Sequence, residues 1–398
     1  MTLLIQILLY VSIFWLIYVY FLYPILLSFL SKFFGTKVKR DFNYKPKVSF
    51  VMAAHNEEQL IRGRLQCYID LNYPKELLSF YIGSDYSTDK TDEIIEEFQK
   101  INSSIFLKKF QRTGKTKIVY ELAQETDSEI IIFTDADILM PPDSLNSIVS
   151  SFTDPTVGGI VTNILYSDNA ENIGNKGEKK FLQIETNLRS NEANFYSTVA
   201  PTGPCFAVRK GSYYPMDDYR LSDDLHLTIS IPDNGFRVCF DREAKIYEIN
   251  KRSLESEFKR RIRVGEQAMS TILSYKSTKY PWRSWIGFQM WSHRLLRNIS
   301  IIPAITTIVL SVILCYKLDN DLLTFPNFDS NIIFWLIANL GLISISLIII
   351  TFLFHKINIK IPFLHYLLFF SAMVLALNIG SMKSLRSGGL ASWNTPRL

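Results

Sequence analysis

The alternation of charged and uncharged stretches divides this chain before any motif is read. No residue in 1–31 is charged, and the run LLIQILLYVSIFWLIYVYFLYPILLSFL is about twice the length of the apolar part of a secretory signal, with no small-residue cleavage site behind it. That pattern predicts one membrane helix. Three more uncharged stretches, 298–316, 330–354 and 361–382, are each long enough to cross a bilayer. Between them, charge interrupts residues 32–297 throughout, and strand-length apolar runs alternate with helix-period segments. VSFVMA at 48–53 reads as a strand, 57–71 as a helix and LLSFYIG at 77–83 as a strand. Ser87-Thr88-Asp89 caps a helix to Lys100, 105–107 is a short strand, 115–125 a helix, and EIIIFT at 129–134 a strand apolar on both faces. This rhythm predicts an α/β domain with a mostly parallel sheet and flanking helices, joined to about four transmembrane helices.

Charge orients the membrane part. Lys32, Lys37, Lys39 and Arg40 follow the first span at once, which places the charged block on the cytoplasmic side. The loop 317–329, with three Asp and one Lys, fits an outside loop, and 355–360, with two Lys, an inside one. The tail does not fit: Lys383, Arg386 and Arg397 would lie outside, so either the last stretch fails to cross or the tail breaks the rule. A balance of 43 basic against 38 acidic residues is too mild for a nucleic-acid binder. Cys67, Cys205, Cys239 and Cys315 lack any paired spacing and read as free thiols.

The candidate chemistry is acidic. EIIIFT runs directly into Asp135-Ala136-Asp137, two carboxylates at the carboxyl end of a buried strand, the edge where open α/β sheets bind ligands. A divalent cation bridging to a diphosphate relieves their repulsion; the plain alternative is an acidic loop. Ser84-Asp85-Tyr86-Ser87-Thr88-Asp89 follows the second strand on the same edge, where Asp85 suits a base or ribose donor and Thr88 or Asp89 a helix cap. Ser222-Asp223-Asp224 opens another helical stretch, as site acids or as partners of the helix dipole. Lys259-Arg260-Arg261-Ile262-Arg263 suits a leaving diphosphate, a solvated face or a headgroup anchor.

In this order the pieces resemble the membrane-bound glycosyltransferases of family 2, the group of cellulose, chitin and hyaluronan synthases and many bacterial polysaccharide enzymes. The carriers are VSFVMAAHNEE at 48–58, SDYSTD at 84–89, RTGK at 112–115, TDAD at 134–137, TGPCFAVRK at 202–210, SDD at 222–224, and the basic stretch in place of a QxxRW signature. The resemblance implies a GT-A fold and inversion at the anomeric carbon. By position, Asp85 matches the acid that holds the nucleotide base, Lys115 a lysine near the nucleotide, Asp135 the ribose-side carboxylate, Asp137 the ligand of Mg²⁺ or Mn²⁺, and Asp224 the general base. Asn56 and Glu57 line the same pocket, and Arg261 and Arg263 meet the leaving diphosphate. The implied donor is a nucleotide-diphospho-sugar, with a UDP-sugar expected, and the implied acceptor a lipid-linked or saccharide hydroxyl at the inner face of a bacterial cell membrane.

Departures qualify this. Ser84 and Tyr86 replace the first Asp and the Gly of DDG, which bears on base recognition, and Val264 stands where the processive synthases have Trp, which favours single addition over a polymerising, exporting synthase. Trp282, Trp285 and Trp291, interleaved with Arg283, Arg294 and Arg297, suit a helix in the headgroup layer, with Arg294 and Arg297 turned to a lipid-linked diphosphate. The expected organisation is a membrane helix at 1–31, a cytoplasmic catalytic domain at 32–250, interfacial helices at 251–297, three membrane helices at 298–382 and a basic tail at 383–398. A transport protein with a nucleotide-binding cytosolic domain is the rival of another class, and it would need charges at membrane depth, where only His365 qualifies.

Overall fold

The computed structural model describes residues 2–166, 174–248, 254–317, 332–356 and 362–386. The loop at 318–331, the loop at 357–361 and the tail beyond Arg386, on which part of the charge argument rested, lie outside the described residues.

The chain opens with one continuous helix, α1 (Thr2–Phe34). It widens into a π-turn at Tyr18–Leu22, just ahead of Pro24, whose missing N–H and bulky ring break the regular ladder. Before this turn, Leu9 packs with Leu314, Cys315 and Phe334 further along the chain. Beyond it, Tyr23 and Leu27 pack with Leu188 of the α/β domain.

The sheet follows the predicted alternation. Its elements are β1 (Val48–Ala54), α2 (Ile61–Ile69), β2 (Leu78–Asp85), α3 (Thr91–Ile101), β3 (Ile105–Phe110), α4 (Lys115–Glu125), β4 (Ile130–Thr134), the short β5 (Ile138–Leu139), α5 (Ser144–Ser150), β6 (Val157–Tyr166), α6 (Gly174–Phe195), β7 (Cys205–Arg209), α7 (Asp223–Asp233) and β8 (Arg237–Glu248). The strand order is β3-β2-β1-β4-β7-β6-β8-β5. β3, β2, β1 and β4 are parallel, β7 runs antiparallel to both β4 and β6, β6 and β8 are parallel, and β5 is antiparallel to β8. The fold is thus the expected α/β type, with an antiparallel insertion that periodicity alone does not reveal. β7 matters because it brings its amino end, Thr202-Gly203, to the carboxyl end of β4, where the Asp135 N–H donates to the Pro204 carbonyl at 2.9 Å.

Core packing explains the element boundaries. β4 is buried along its whole length, and in the same core Tyr68 stacks on Phe80 while Phe50 meets both rings edge-on. The helix expected from 57 starts at Ile61 because Asn56 adopts φ 55° and the Glu57 carbonyl accepts from the N–H groups of Leu60 and Ile61, making a turn first. Gly83 lets α4 lie directly on β2, since a Cβ there would sit 2.1 Å from Ile118 Cγ2.

After the sheet come α8 (Leu254–Ser274), α9 (Trp285–Asn298), α10 (Ile301–Lys317), α11 (Ile332–Lys356) and α12 (Pro362–Arg386). Among the described residues two helices are long and apolar enough to cross a membrane, α1 and α11, or three if α9 and α10, bent by 57°, form one span. Leu9 of α1 meets Leu314 and Cys315 of α10 and Phe334 of α11, while Trp15 Nε1 donates to the Leu296 carbonyl at the other end. α1 and α10 are therefore antiparallel.

The expectation of about four spans needs correction at its last member. α12 lies lengthwise along α8 and parallel to it: Gly265 backs onto the Leu377 carbonyl, Gly380 onto the Ile262 carbonyl, and Ser270 Oγ meets Ser384 Oγ at 2.8 Å. Small residues on one face let the two backbones touch. The end of α12, with Lys383 and Arg386 exposed, is thereby held beside α8, as basic flanks should be if that side is the cytoplasm.

Candidate active site

Three turns meet at the carboxyl edge of the parallel strands. At the end of β2, Asp85 is buried and its carboxylate accepts from the Thr113 N–H at 2.6 Å, from the Gly114 N–H at 3.2 Å and from Arg112 at 3.3 Å. Gly114, at φ 93°, takes a conformation that suits glycine and so presents its N–H to that carboxylate. Asp85 thus fixes the loop whose next residue, Lys115, begins α4. His55 Nδ1 pairs with the Asp85 carbonyl at 2.8 Å, the Asn56 side-chain oxygen accepts from the Thr88 N–H at 2.8 Å, and the Glu57 N–H donates to Thr91 Oγ1 at 2.8 Å, which ties the turn after β1 to the turn after β2. The N-cap position itself is Lys90, and Asp89, one residue earlier, accepts from the Thr91 N–H at 3.0 Å. Tyr86, where the family pattern has glycine, sits at φ 60°, a left-handed conformation costly for a bulky side chain.

Lys115 reaches across the edge. Its Nζ lies 2.6 Å from Asp135 Oδ1 and 3.8 Å from Asp223 Oδ2, so one ammonium joins the strand-end carboxylate to the first turn of α7. Together with Thr134, Phe133, Gly203 and Asp224 these residues line a pocket. Gly203, at φ 80°, brings backbone close beneath Asp224: a Cβ added there would stand 3.5 Å from Asp224 Oδ2. Asp224 Oδ1 accepts from the Ser222 hydroxyl and from the Leu225 N–H at 2.8 Å, and Oδ2 faces the pocket side. Burial and then the adjacent Asp223 charge raise the Asp224 pKa above the ordinary carboxylate value, against the Ser222 hydrogen bond and the positive charge of Arg294.

The predicted site residues therefore fall into groups. Lys115, Asp135 and Asp224 share the pocket; Asn56, Glu57 and Asp85 form the turns that support Lys115; Asp137, half-buried, lies two residues beyond Asp135. Arg261 donates to Glu257 at 2.7 Å, as does Arg260 at 2.9 Å, and Arg263 is exposed on α8. Burial pushes the Glu257 carboxyl up, and the two arginines outweigh it and hold it below its usual value. α8 touches the site through Thr271, which accepts from the Ser222 N–H at 3.0 Å; Arg261, ten residues earlier, lies about 15 Å back along the helix axis. Arg261 and Arg263 do not line the pocket. Asp223, which lines this pocket, and Arg294, whose charge reaches Asp224 from behind it, are the residues to which sequence reasoning gave no such place. Nothing in their local patterns distinguishes them from a cap and a headgroup contact.

The residues suit a metal that arrives with its ligand. Among the described residues no three His, Cys, Asp or Glu side chains are grouped to hold an ion, and Asp135 is already engaged by Lys115. A hard divalent cation needs only one or two carboxylates when diphosphate oxygens and water complete its shell, and Asp137 is a carboxylate on the same turn.

Residues 49–214 match the family profile described as Glycosyl transferase family 2. The chain is 24% identical over 252 residues to a probable glycosyltransferase, YdaM, of Bacillus subtilis, covering 60% of this chain and 59% of that one. It is 26% identical over 208 residues to the beta-monoglucosyldiacylglycerol synthase of Synechocystis, covering 48% and 42%. The chain thus spans about half the length of the curated relatives it matches. Among solved structures, the mannosyltransferase of Pyrobaculum calidifontis in complex with GDP-Man and Mn²⁺ superposes with a TM-score of 0.67 at 18% identity, over 96% of this chain and 99% of that one, so the fold is shared. Residues 49–214 thus resemble a family 2 glycosyltransferase domain, and the fold is shared with a solved glycosyltransferase.

Proposed function

We propose that this chain is an inverting glycosyltransferase that moves a sugar from a nucleotide-diphospho-sugar, a UDP-sugar by expectation, to an acceptor hydroxyl at the cytoplasmic face of a membrane. The observation that carries the reading is the convergence of Lys115, Asp135, Asp223 and Asp224, distant in sequence, on one pocket at the ligand-binding edge of a glycosyltransferase domain. In this reading the Asp85 turn receives the base, and Lys115 and Asp135 the ribose and diphosphate. Asp137 holds Mg²⁺ or Mn²⁺, which when bound neutralises the leaving diphosphate.

Asp224 does the chemistry. As the acceptor oxygen bonds to the anomeric carbon, the carbon–oxygen bond to the nucleoside diphosphate breaks and the acceptor proton passes to Asp224. A raised pKa makes its carboxylate a better base. Asp135 cannot share this role, because the Lys115 ammonium at 2.6 Å already offsets its charge. The match to a glycolipid synthase and the apolar helices support an integral membrane setting and a lipid-linked acceptor. Val264, half-buried on α8, supports single addition over polymerisation.

Purified full-length protein in detergent, supplied with Mn²⁺ and a panel of nucleotide-sugars, should release nucleoside diphosphate from one of them when an acceptor is present. Asp224→Asn should lower transfer by about 10²- to 10⁴-fold while leaving nucleotide binding intact, and Asp137→Asn should weaken metal-dependent nucleotide binding. Full turnover by Asp224→Asn would refute the base assignment.

A further inference from the structure

Behind Asp224, on the side away from Lys115, α6 and α9 bury an unusual number of charges. Glu185 and Glu192 of α6 are both buried. Arg297 of α9 donates to Glu185, and His293, itself buried, bridges the pair, 2.7 Å from Glu192 through Nδ1 and 3.4 Å from Glu185 through Nε2. Tyr23 of α1 closes the group by donating to Glu192 at 3.0 Å. Arg297 is thereby paired with Glu185, while His293 Nε2 makes no hydrogen bond.

Arg294 is not paired in this way. It lies one turn before Arg297, within the π-turn Met290–Leu295, a local widening frequent at functional sites. No hydrogen bond or ion pair joins it to any described residue, and its buried Nε has no partner. It stands within Coulombic reach of Asp224 but beyond ion-pair distance, and Arg189 and Arg297 add positive charge beside it. The two elements are held together by shared core: Leu225 and Ile229 of α7 pack with Met290 and Leu295 of α9. Thr202, next to Gly203, also has a buried, unbonded hydroxyl. A desolvated guanidinium among like charges gains most from a bidentate oxyanion. A molecule that offers a hydroxyl to Asp224 and a phosphate to Arg294 would engage both.

The depth of Arg294 says what kind of molecule enters. Trp15, Tyr18 and Tyr20 of α1 bond to the Leu296 carbonyl, Ser292 and Ser300, just before the apolar helix α10 begins at Ile301. Trp and Tyr beside the start of an apolar helix mark the headgroup level of a bilayer. A phosphate held by Arg294 is therefore at headgroup depth, with apolar helix surface beside it for a tail.

We propose that Arg294 holds a phosphate group of the acceptor beside Asp224, and that the acceptor is a phosphate-bearing amphiphile. This rests on the glycosyltransferase reading of the same pocket. The test uses full-length protein in detergent and three probes: farnesyl phosphate, farnesol and inorganic phosphate. Wild type should bind farnesyl phosphate at least tenfold more tightly than either of the others. Arg294→Gln should erase that preference and Arg294→Lys should keep part of it, with UDP binding in Mn²⁺ reporting that each variant is folded. Equal binding of farnesol overturns the phosphate site; equal binding of inorganic phosphate overturns the amphiphile; an unchanged preference in Arg294→Gln overturns the assignment to Arg294. Donor cleavage by wild type is scored separately, so a chain that cleaves no nucleotide-sugar refutes the underlying reading, whereas cleavage without the farnesyl phosphate preference refutes this inference alone.

Discussion

Asp224 carries a conflict between stability and function. Its carboxyl is pushed up by burial and by the charge of Asp223, so the folded state favours the protonated form relative to the unfolded chain. That contribution is complete below the unfolded carboxylate value and is lost as the pH rises through the raised folded one; at neutral pH the ionised side chain costs stability. Asp224→Asn should therefore unfold at a higher temperature than wild type at pH 7 while losing transfer, and equal or lower melting would contradict the burial argument. The same shift sets the pH profile. Transfer needs the ionised base, so the acid limb of kcat/KM should lie above the ordinary carboxylate range, and Asp223→Asn, which removes the like charge, should move that limb to lower pH. A limb that stays in place or rises would show that Lys115, which faces Asp223 at 3.8 Å, already cancels the repulsion.

At the scale of elements, the contact between α8 and α12 is backbone on backbone. A Cβ on Gly380 would lie 1.9 Å from the Ile262 carbonyl oxygen, and neither helix can yield without breaking its own ladder. Helix propensity favours alanine by up to about 1 kcal/mol, yet overpacking typically costs about 1–3 kcal/mol, so the clash wins and Gly380→Ala should lower the melting temperature. Gly63→Ala in α2, with nothing within 4 Å of the added carbon, isolates the propensity effect and should raise it. This contact also marks where the sequence is legible and where it is not. EIIIFT announces β4 because both faces are buried, and Thr134-Asp135-Ala136-Asp137 announces the edge because the strand ends there. The pairing of Lys115 with Asp135 and Asp223 joins elements far apart in sequence, and nothing local encodes it. Residues 361–382 are apolar enough to read as a span; Gly380, Ser381 and Ser384 mark a docking face only once α8 is known to lie against it.

For the molecule as a whole, the helices fix a topology that labelling can test. α1 enters with its amino end remote from the catalytic domain, since Leu9 packs with Leu314 while Trp15 and Tyr18 touch α9. α10 runs away from the domain and α11 returns, with Phe334 beside Leu314 and Gly341 against Ile308. α12 adds no outward crossing at its end, because Ser384 bonds to Ser270 of α8. The basic residues after α1 and at the end of α12 then face one side, together with the pocket, which is the arrangement that positive charge favours at the cytoplasm. In a cysteine-free background, single cysteines at Thr2, Ser103 and Arg386 separate the possibilities. An impermeant maleimide applied to intact cells should label only the cysteine at 2, and applied to inverted vesicles should label those at 103 and 386. Labelling at 386 from outside would mean that α12 crosses fully, which the Gly265 and Gly380 contacts forbid without detaching it from α8. Labelling at 103 from outside would put the pocket on the face where soluble nucleotide-sugars are not supplied, and would remove the donor side of the proposed reaction.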